Sequence, residues 1–159
     1  MCDRDSVMKS ASIYRRGRTY YVVPQCLTEV GVGIACGESG VTESSDEIYG
    51  LLMSSFEMSK DGIPHPKDQK DWNEFKKKFL SIFGVKSSAE FHKSTLMVGA
   101  TLDRGVITLT PSTSRGVKHG FEGQSEEAVK VEVGAPQDLI MEAINKAFSS
   151  ARSKNGVTK

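Results

Sequence analysis

Three histidines (His65, His92, His119) and three cysteines (Cys2, Cys26, Cys36) are the side chains best suited to metal or nucleophilic chemistry in this 159-residue chain. Their spacing does not organise them. No two histidines stand at a ligand spacing, and no cysteine lies near a histidine in sequence, so no zinc-type set forms locally. Gly31, Gly33 and Gly37 miss the dinucleotide fingerprint by one residue, and neither a G-x-S-x-G elbow nor a Walker motif occurs. The cysteines are odd in number and form no C-x-x-C, which fits free thiols in a reducing compartment better than a disulfide framework. No catalytic residue, metal ligand or cofactor site is therefore expected.

One arrangement still admits chemistry. Arg115, Lys118 and His119 share a polar loop, and His65 lies elsewhere in the chain as a second titratable group. Two such groups with a cation on the phosphate would serve acid–base hydrolysis of RNA, so a small ribonuclease or hydrolase using His65 and His119 is the alternative reading. His65 itself stands in Asp61-Gly62-Ile63-Pro64-His65-Pro66-Lys67-Asp68. Pro64 and Pro66 push Ile63 and His65 toward extended backbone, so neither flanking helix can continue through the stretch. Gly62 suits the end of one helix and Asp68 the start of the next. A rigid helix–helix elbow is the reading that uses most of these residues.

The elements that would position such groups follow from periodicity. Residues 1–10 read as a flexible N-terminus, 11–152 as one domain and 153–159 as a flexible tail. Ile13–Tyr14 and Tyr20–Val23 flank an Arg/Gly turn as a β-hairpin, and residues 30–37 read as a strand. Ser44 with Glu47 makes a capping box before a helix whose apolar stripe is Ile48, Leu51, Leu52 and Phe56, closed by Lys60-Asp61-Gly62. Trp72, Phe75, Phe79, Ile82 and Phe83 form a second stripe ended by Gly84, and Ser87 with Glu90 caps a short third helix. Residues 96–101 and 106–110 form another hairpin around Leu102-Asp103-Arg104-Gly105. Val129, Val131 and Val133 alternate as a strand, and Pro136 opens a last helix. Strands joined by short turns and grouped apart from helices predict an α+β fold. Its single twisted, mainly antiparallel sheet would have about five or six strands, with helices packed on one face.

Charge narrows the partner. A formal net charge of +1, from 21 basic and 20 acidic residues, lacks the excess a general nucleic-acid binder needs. No apolar run is long enough to span a membrane and no signal peptide is evident, so a cytoplasmic location is expected. The distribution is uneven. Glu38, Glu43, Asp46, Glu47 and Glu57 fall in a stretch without Lys or Arg, and Glu122, Glu126 and Glu127 form a second acidic group. Helix-dipole complementarity and solvated faces are one account of this, and an acidic surface matched to a basic protein partner is the other.

"GIPHP" at 62–66, the aromatic helix containing Trp72, "GVKSSAEF" at 84–91 and "GVITLTPSTSRGVKHGFEG" at 105–123 precede the Pro-started last helix. Together, over residues 11–150, they resemble the immunity proteins of bacterial contact-dependent growth inhibition (CDI). The resemblance implies a small cytoplasmic protein that binds and blocks the C-terminal toxin domain of its cognate effector, often a nuclease with a basic active site. It implies neither enzymatic activity, cofactor, small-molecule substrate, membrane nor direct nucleic-acid contact. Charge complementarity, independently of the resemblance, nominates Glu43, Asp46 and Glu47, with Glu122, Glu126 and Glu127, as the toxin-binding residues.

Overall fold

The chain curls one antiparallel sheet between two helical layers, in a computed structural model that describes residues 8–153. The strands are β1 (Lys9–Arg16), β2 (Thr19–Leu27), β3 (Gly33–Ala35) and β4 (Gly40–Thr42), then β5 (Leu96–Asp103), β6 (Val106–Ser114), β7 (Phe121–Gly123) and β8 (Val129–Glu132). The helices are α1 (Ile48–Met58), α2 (Gln69–Phe83), α3 (Ser88–Ser94) and α4 (Gln137–Ser150). The sheet runs β3-β2-β1-β5-β6-β7, with β4 added to the free side of β2 and β8 to the free side of β6. Of the flexible ends expected at 1–10 and 153–159, Lys9 and Ser10 belong to β1 and Ser153 is buried, while 1–7 and 154–159 lie outside the described residues.

Alternation along β1 creates two cores. Ala11 and Ile13 point to the face shared with Val22, Val98, Ile107 and Leu109, where α1 brings Ile48, Leu52 and Phe56 and α4 brings Ile140, Ile144 and Phe148. Tyr14, one residue on, points the other way and packs with Val23 against Leu80 and Phe83 of α2 and Phe91 of α3. The α+β class holds, but the expected one-sided packing describes only α1 and α4. The apolar stripe of α2 needed its own sheet surface, and Tyr14, Tyr21, Val23 and Met97 provide it.

Local signals held where the chain had no better partner for the same groups. Asp68 accepts the Asp71 amide at 2.9 Å and starts α2, Ser87 accepts the Glu90 amide at 3.1 Å, and Gly84 (φ 68°) closes α2 left-handed. Ser44 makes no side-chain cap. Its intended partner is taken: the Thr42 hydroxyl accepts the Ser44 amide and donates to the Glu47 carboxylate, and a 3-10 turn (Ser45–Glu47) precedes α1. Helix α1 also stops earlier than Gly62. Ser59 is drawn into the sheet, donating to the Gln25 carbonyl at 2.7 Å and accepting the Ser10 amide at 3.0 Å, so its backbone turns extended after Met58.

The predicted strand at 30–37 shrinks to β3, because Thr28 turns the chain by accepting the Val32 amide at 3.2 Å. The cysteines depart from the free-thiol expectation: Cys26 of β2 and Cys36, just past β3, form a disulfide. Antiparallel pairing of Cys26 with Ile34 brings the two backbones to neighbouring positions, a proximity that sequence spacing alone does not display.

Candidate partner-binding surface

The histidines are held apart by the sheet. His65 places Nδ1 3.1 Å from the Thr28 hydroxyl and sets its ring edge against Trp72, while backbone bonds from Glu29 to the Ile63 carbonyl (2.9 Å) and from Ile63 to the Leu27 carbonyl (3.2 Å) dock the proline elbow. The elbow is therefore a short extension of the sheet at the far end of β2. His119 is exposed in the β6–β7 loop, beyond the opposite end of the strands. From Thr28 to the end of β6 is roughly 25 Å of strand, so His65 and His119 cannot share one phosphate. Arg115 does not wait for one: its guanidinium holds Glu122 at 2.7 Å.

His92, unremarked in the sequence beyond its type, is the buried histidine. Its Nδ1 lies 2.7 Å from Ser114 Oγ, which also accepts the Gly116 amide at 3.3 Å. Phe91 and Phe121 press on the imidazole, and this burial lowers its pKa below the ordinary histidine value. Above pH 6.5, the ordinary value, neutral His92 adds no proton-linked cost. Below it the unfolded chain takes up a proton that the folded chain resists, so stability falls as pH drops toward the folded-state pKa. Denaturation midpoints are expected to decline between pH 7 and pH 5 by an increment that His92→Asn, which keeps an acceptor near Nδ1, removes. An unchanged slope in that variant would discard this account. Tyr14 is also buried, its pKa pushed up to about 12 by desolvation against a weaker opposing bond from Ser12, so it stays neutral across this range.

Among the described residues, no group of three His, Cys, Asp or Glu side chains is placed to hold a metal ion, and no helix is long and apolar enough to cross a membrane. Tyr14 and His92 are buried, with their polar atoms turned to Ser12 and Ser114 inside the protein.

Among the described residues, one exposed feature is acidic. Two adjoining hollows, of about 670 Å³ and about 620 Å³, share Asp46 and Gln137 where the start of α1 meets the start of α4. Asp46, Glu47, Asp138 and Glu142 edge them, and no Lys, Arg or His lines either one. Apolar surface sits between the carboxylates: Val41 of β4, which is 55% exposed, with Tyr49 and Leu51 of α1 and Met141 of α4. Two bonds fix the geometry. Gln137 Nε2 donates to the Asp46 carbonyl at 3.0 Å, and the Tyr49 hydroxyl donates to the Val133 carbonyl at 3.0 Å. Gly40 lets β4 lie against α1, since a Cβ there would stand 2.6 Å from Leu51.

The six nominated acids thus divide. Asp46 and Glu47 line the cleft, and Glu43 is exposed just before them in the chain. Glu122 on β7, with Glu126 and Glu127 in the 3-10 turn before β8, belongs to the opposite edge of the sheet. Asp138 and Glu142 were missed. The signal was present as an i, i+4 acidic pair on the last helix, but only the tertiary approach of α4 to α1 joins it to Asp46.

The fold and surface together define an α+β domain with an acid-edged, partly apolar cleft. A family narrower than this class is reached by sequence: the family model CdiI, CDI immunity protein, matches residues 45–151. The chain belongs to the CDI immunity protein family. The matched region carries α1, α4 and the whole β7–β8 edge, though not β1–β4. Two solved structures share the fold across nearly the full length. A protein of unknown function from Neisseria meningitidis superposes with a TM-score of 0.74 at 13% identity, covering 96% of this chain and 100% of its own. The CdiA-CT/CdiI toxin and immunity complex from Yersinia pseudotuberculosis gives 0.71 at 13% identity, covering 92% and 98%. No curated protein matches the chain by sequence.

Proposed function

We propose that this protein is a cytoplasmic inhibitor that binds the C-terminal toxin domain of its cognate CDI effector, one to one, and thereby protects the cell that makes it. The toxin is a nuclease whose basic substrate-binding surface meets the acidic cleft between α1 and α4. The observation that carries this reading is the cleft itself, four carboxylates and an apolar floor with no basic side chain in its lining. Such a surface attracts a basic partner from solution and offers Val41, Tyr49, Leu51 and Met141 for desolvated contact once it docks. Membership of the immunity family supplies the class of partner. Glu43 extends the acidic edge, whereas Glu122, Glu126 and Glu127 contribute at most to long-range steering. No part of this role needs catalysis, a cofactor or a small-molecule substrate.

Co-expression with the protein encoded immediately upstream tests the proposal. Rescue of growth, with a one-to-one complex recovered on purification, is the expected result. Continued toxicity with no complex would discard the pairing. Rescue by sub-stoichiometric amounts, with toxin recovered chemically altered, would replace inhibition by an enzymatic mode of protection.

A further inference from the structure

We propose that Cys26 and Cys36 form a reversible thiol–disulfide lock on the β3–β4 edge of the sheet. The bond joins the C-terminal end of a long, core-forming strand to a weakly held segment. Strand β3 pairs with β2 over three residues, Gly33–Ala35, and β4 over three more, Gly40–Thr42. Of residues 33–42 only Thr42 is buried, so this edge has almost no core of its own. A covalent tie between Cys26 and Cys36 holds the segment where its side chains do not.

The two sulfurs differ in access. Cys26 is 2% exposed, while Cys36 is half-buried and lines a surface groove with Gly37, Phe75, Lys78, Phe79 and Ile82. An incoming thiolate therefore reaches Cys36, and the Lys78 ammonium in the same groove favours the approach of a negative sulfur. A dithiol reductant completes the exchange. Its first thiolate bonds to the Cys36 sulfur as the Cys26–Cys36 bond breaks, and Cys26 leaves as a thiolate that takes up a proton. Its second thiol then attacks the mixed disulfide, giving the reductant's own disulfide and releasing Cys36 as the second thiol. Two electrons and two protons pass to the protein.

The fold has a place for the reduced state as well. The Met58 carbonyl at the end of α1 lies 3.6 Å from the Cys26 sulfur and 4.0 Å from the Cys36 sulfur, an acceptor in reach of both S–H groups. Opening the lock leaves the fully buried side chains of both cores in place, because the β3–β4 segment meets them only at the rim of the second core, through half-buried Ala35. The same segment carries Val41, one wall of the acidic cleft. An effect on partner binding would rest on the proposed function, so the test reads the backbone alone.

The experiment uses the full chain carrying Cys2→Ser, which leaves one cysteine pair. Alkylation of the air-oxidised protein is expected to label no thiol, and alkylation after millimolar dithiothreitol, without denaturant, to label two. Amide exchange at residues 33–42 should quicken by roughly tenfold to a hundredfold on reduction, and equally in Cys26→Ser/Cys36→Ser, while α1, α4 and β5 keep their protection. Reoxidation should restore the slow exchange. Two labelled thiols in the oxidised sample would overturn the proposal. So would a bond that yields only after unfolding, unchanged exchange at 33–42, or a loss of protection spread through both cores.

Discussion

Reversal of Asp46, Asp138 and Glu142 together to lysine is expected to weaken binding of the toxin domain by about a hundredfold to a thousandfold at low salt. All three are exposed, and an isolated surface pair of this kind contributes no more than about 1 kcal/mol. They act together, however, on one cleft. Its lining holds four carboxylates and no basic group, so three reversals turn a uniformly negative surface into one with a single remaining acid, Glu47. A basic partner then loses both its steering and its favourable docked contacts, and meets like charge instead. Most of the steering loss should appear in the association rate, and the whole difference should shrink as salt rises and the screening length falls.

The control lies on the other edge. Glu122 is already paired with Arg115 at 2.7 Å, and its reversal with Glu126 and Glu127 should change affinity less than about fivefold. Surface titration by calorimetry or interferometry at two salt concentrations separates the cases. If the β7 set proves costly and the cleft set neutral, the interface is at the β7–β8 edge and the cleft assignment fails.

What the sequence displayed and what it concealed follow from the range of the forces involved. Asp68, Ser87 and Gly84 act within one helical turn, and each does the job its type and position announce. The hairpin expected around 102–105 also formed, with Arg104 (φ 53°) and Gly105 (φ 80°) making its left-handed turn. Errors arose where a distant strand competed for a local group. Ser59 could have continued a turn toward Gly62, but the Gln25 carbonyl and Ser10 amide, far off in sequence, claimed it. Ser44 lost its capping role to Thr42 only because β4 brings Thr42 to Glu47. Cys26 and Cys36 look like unrelated thiols until the β2–β3 register is known.

The candidate site shows the same division. The stretch holding Glu43, Asp46 and Glu47 is visible as a run of acids without bases, so half of the acidic edge was legible. The other half, Asp138 and Glu142, sits about ninety positions later and joins it through the Gln137–Asp46 bond. Grouping the remaining nominated acids with them was an inference from charge alone. Charge in sequence carries no information on which edge of a sheet a residue occupies.

The second large effect concerns the helical layer on the second face of the sheet, where the sequence led to the expectation of one covered face. Phe83→Ala is expected to destabilise the protein by about 3–5 kcal/mol. Phe83 is the hub of the second core: its ring centroid lies 5.0 Å from Tyr14, 4.8 Å from Tyr21, 5.1 Å from Phe79 and 4.6 Å from Phe91. Truncation removes all four contacts and leaves a cavity whose walls are held from three sides, by β1, β2 and α3, so collapse cannot fill it. The Arg16 guanidinium, which also donates to the Phe83 carbonyl at 3.3 Å, fixes the end of α2 and resists the shift that would relieve the cavity. Ile144→Ala in the first core is expected to cost about 2–5 kcal/mol. Because Ile13 and Tyr14 tie both cores to one strand, the two losses should appear in a single transition. Urea denaturation followed by tryptophan fluorescence, which reports Trp72 on α2, and by far-ultraviolet dichroism, which reports the whole fold, tests this directly. Coincident curves displaced by several kcal/mol for Phe83→Ala would establish the aromatic layer as part of the fold's foundation. A displacement below about 1 kcal/mol, or a fluorescence transition well ahead of the dichroism one, would make α2 and α3 an appendage to a sheet covered on one face only.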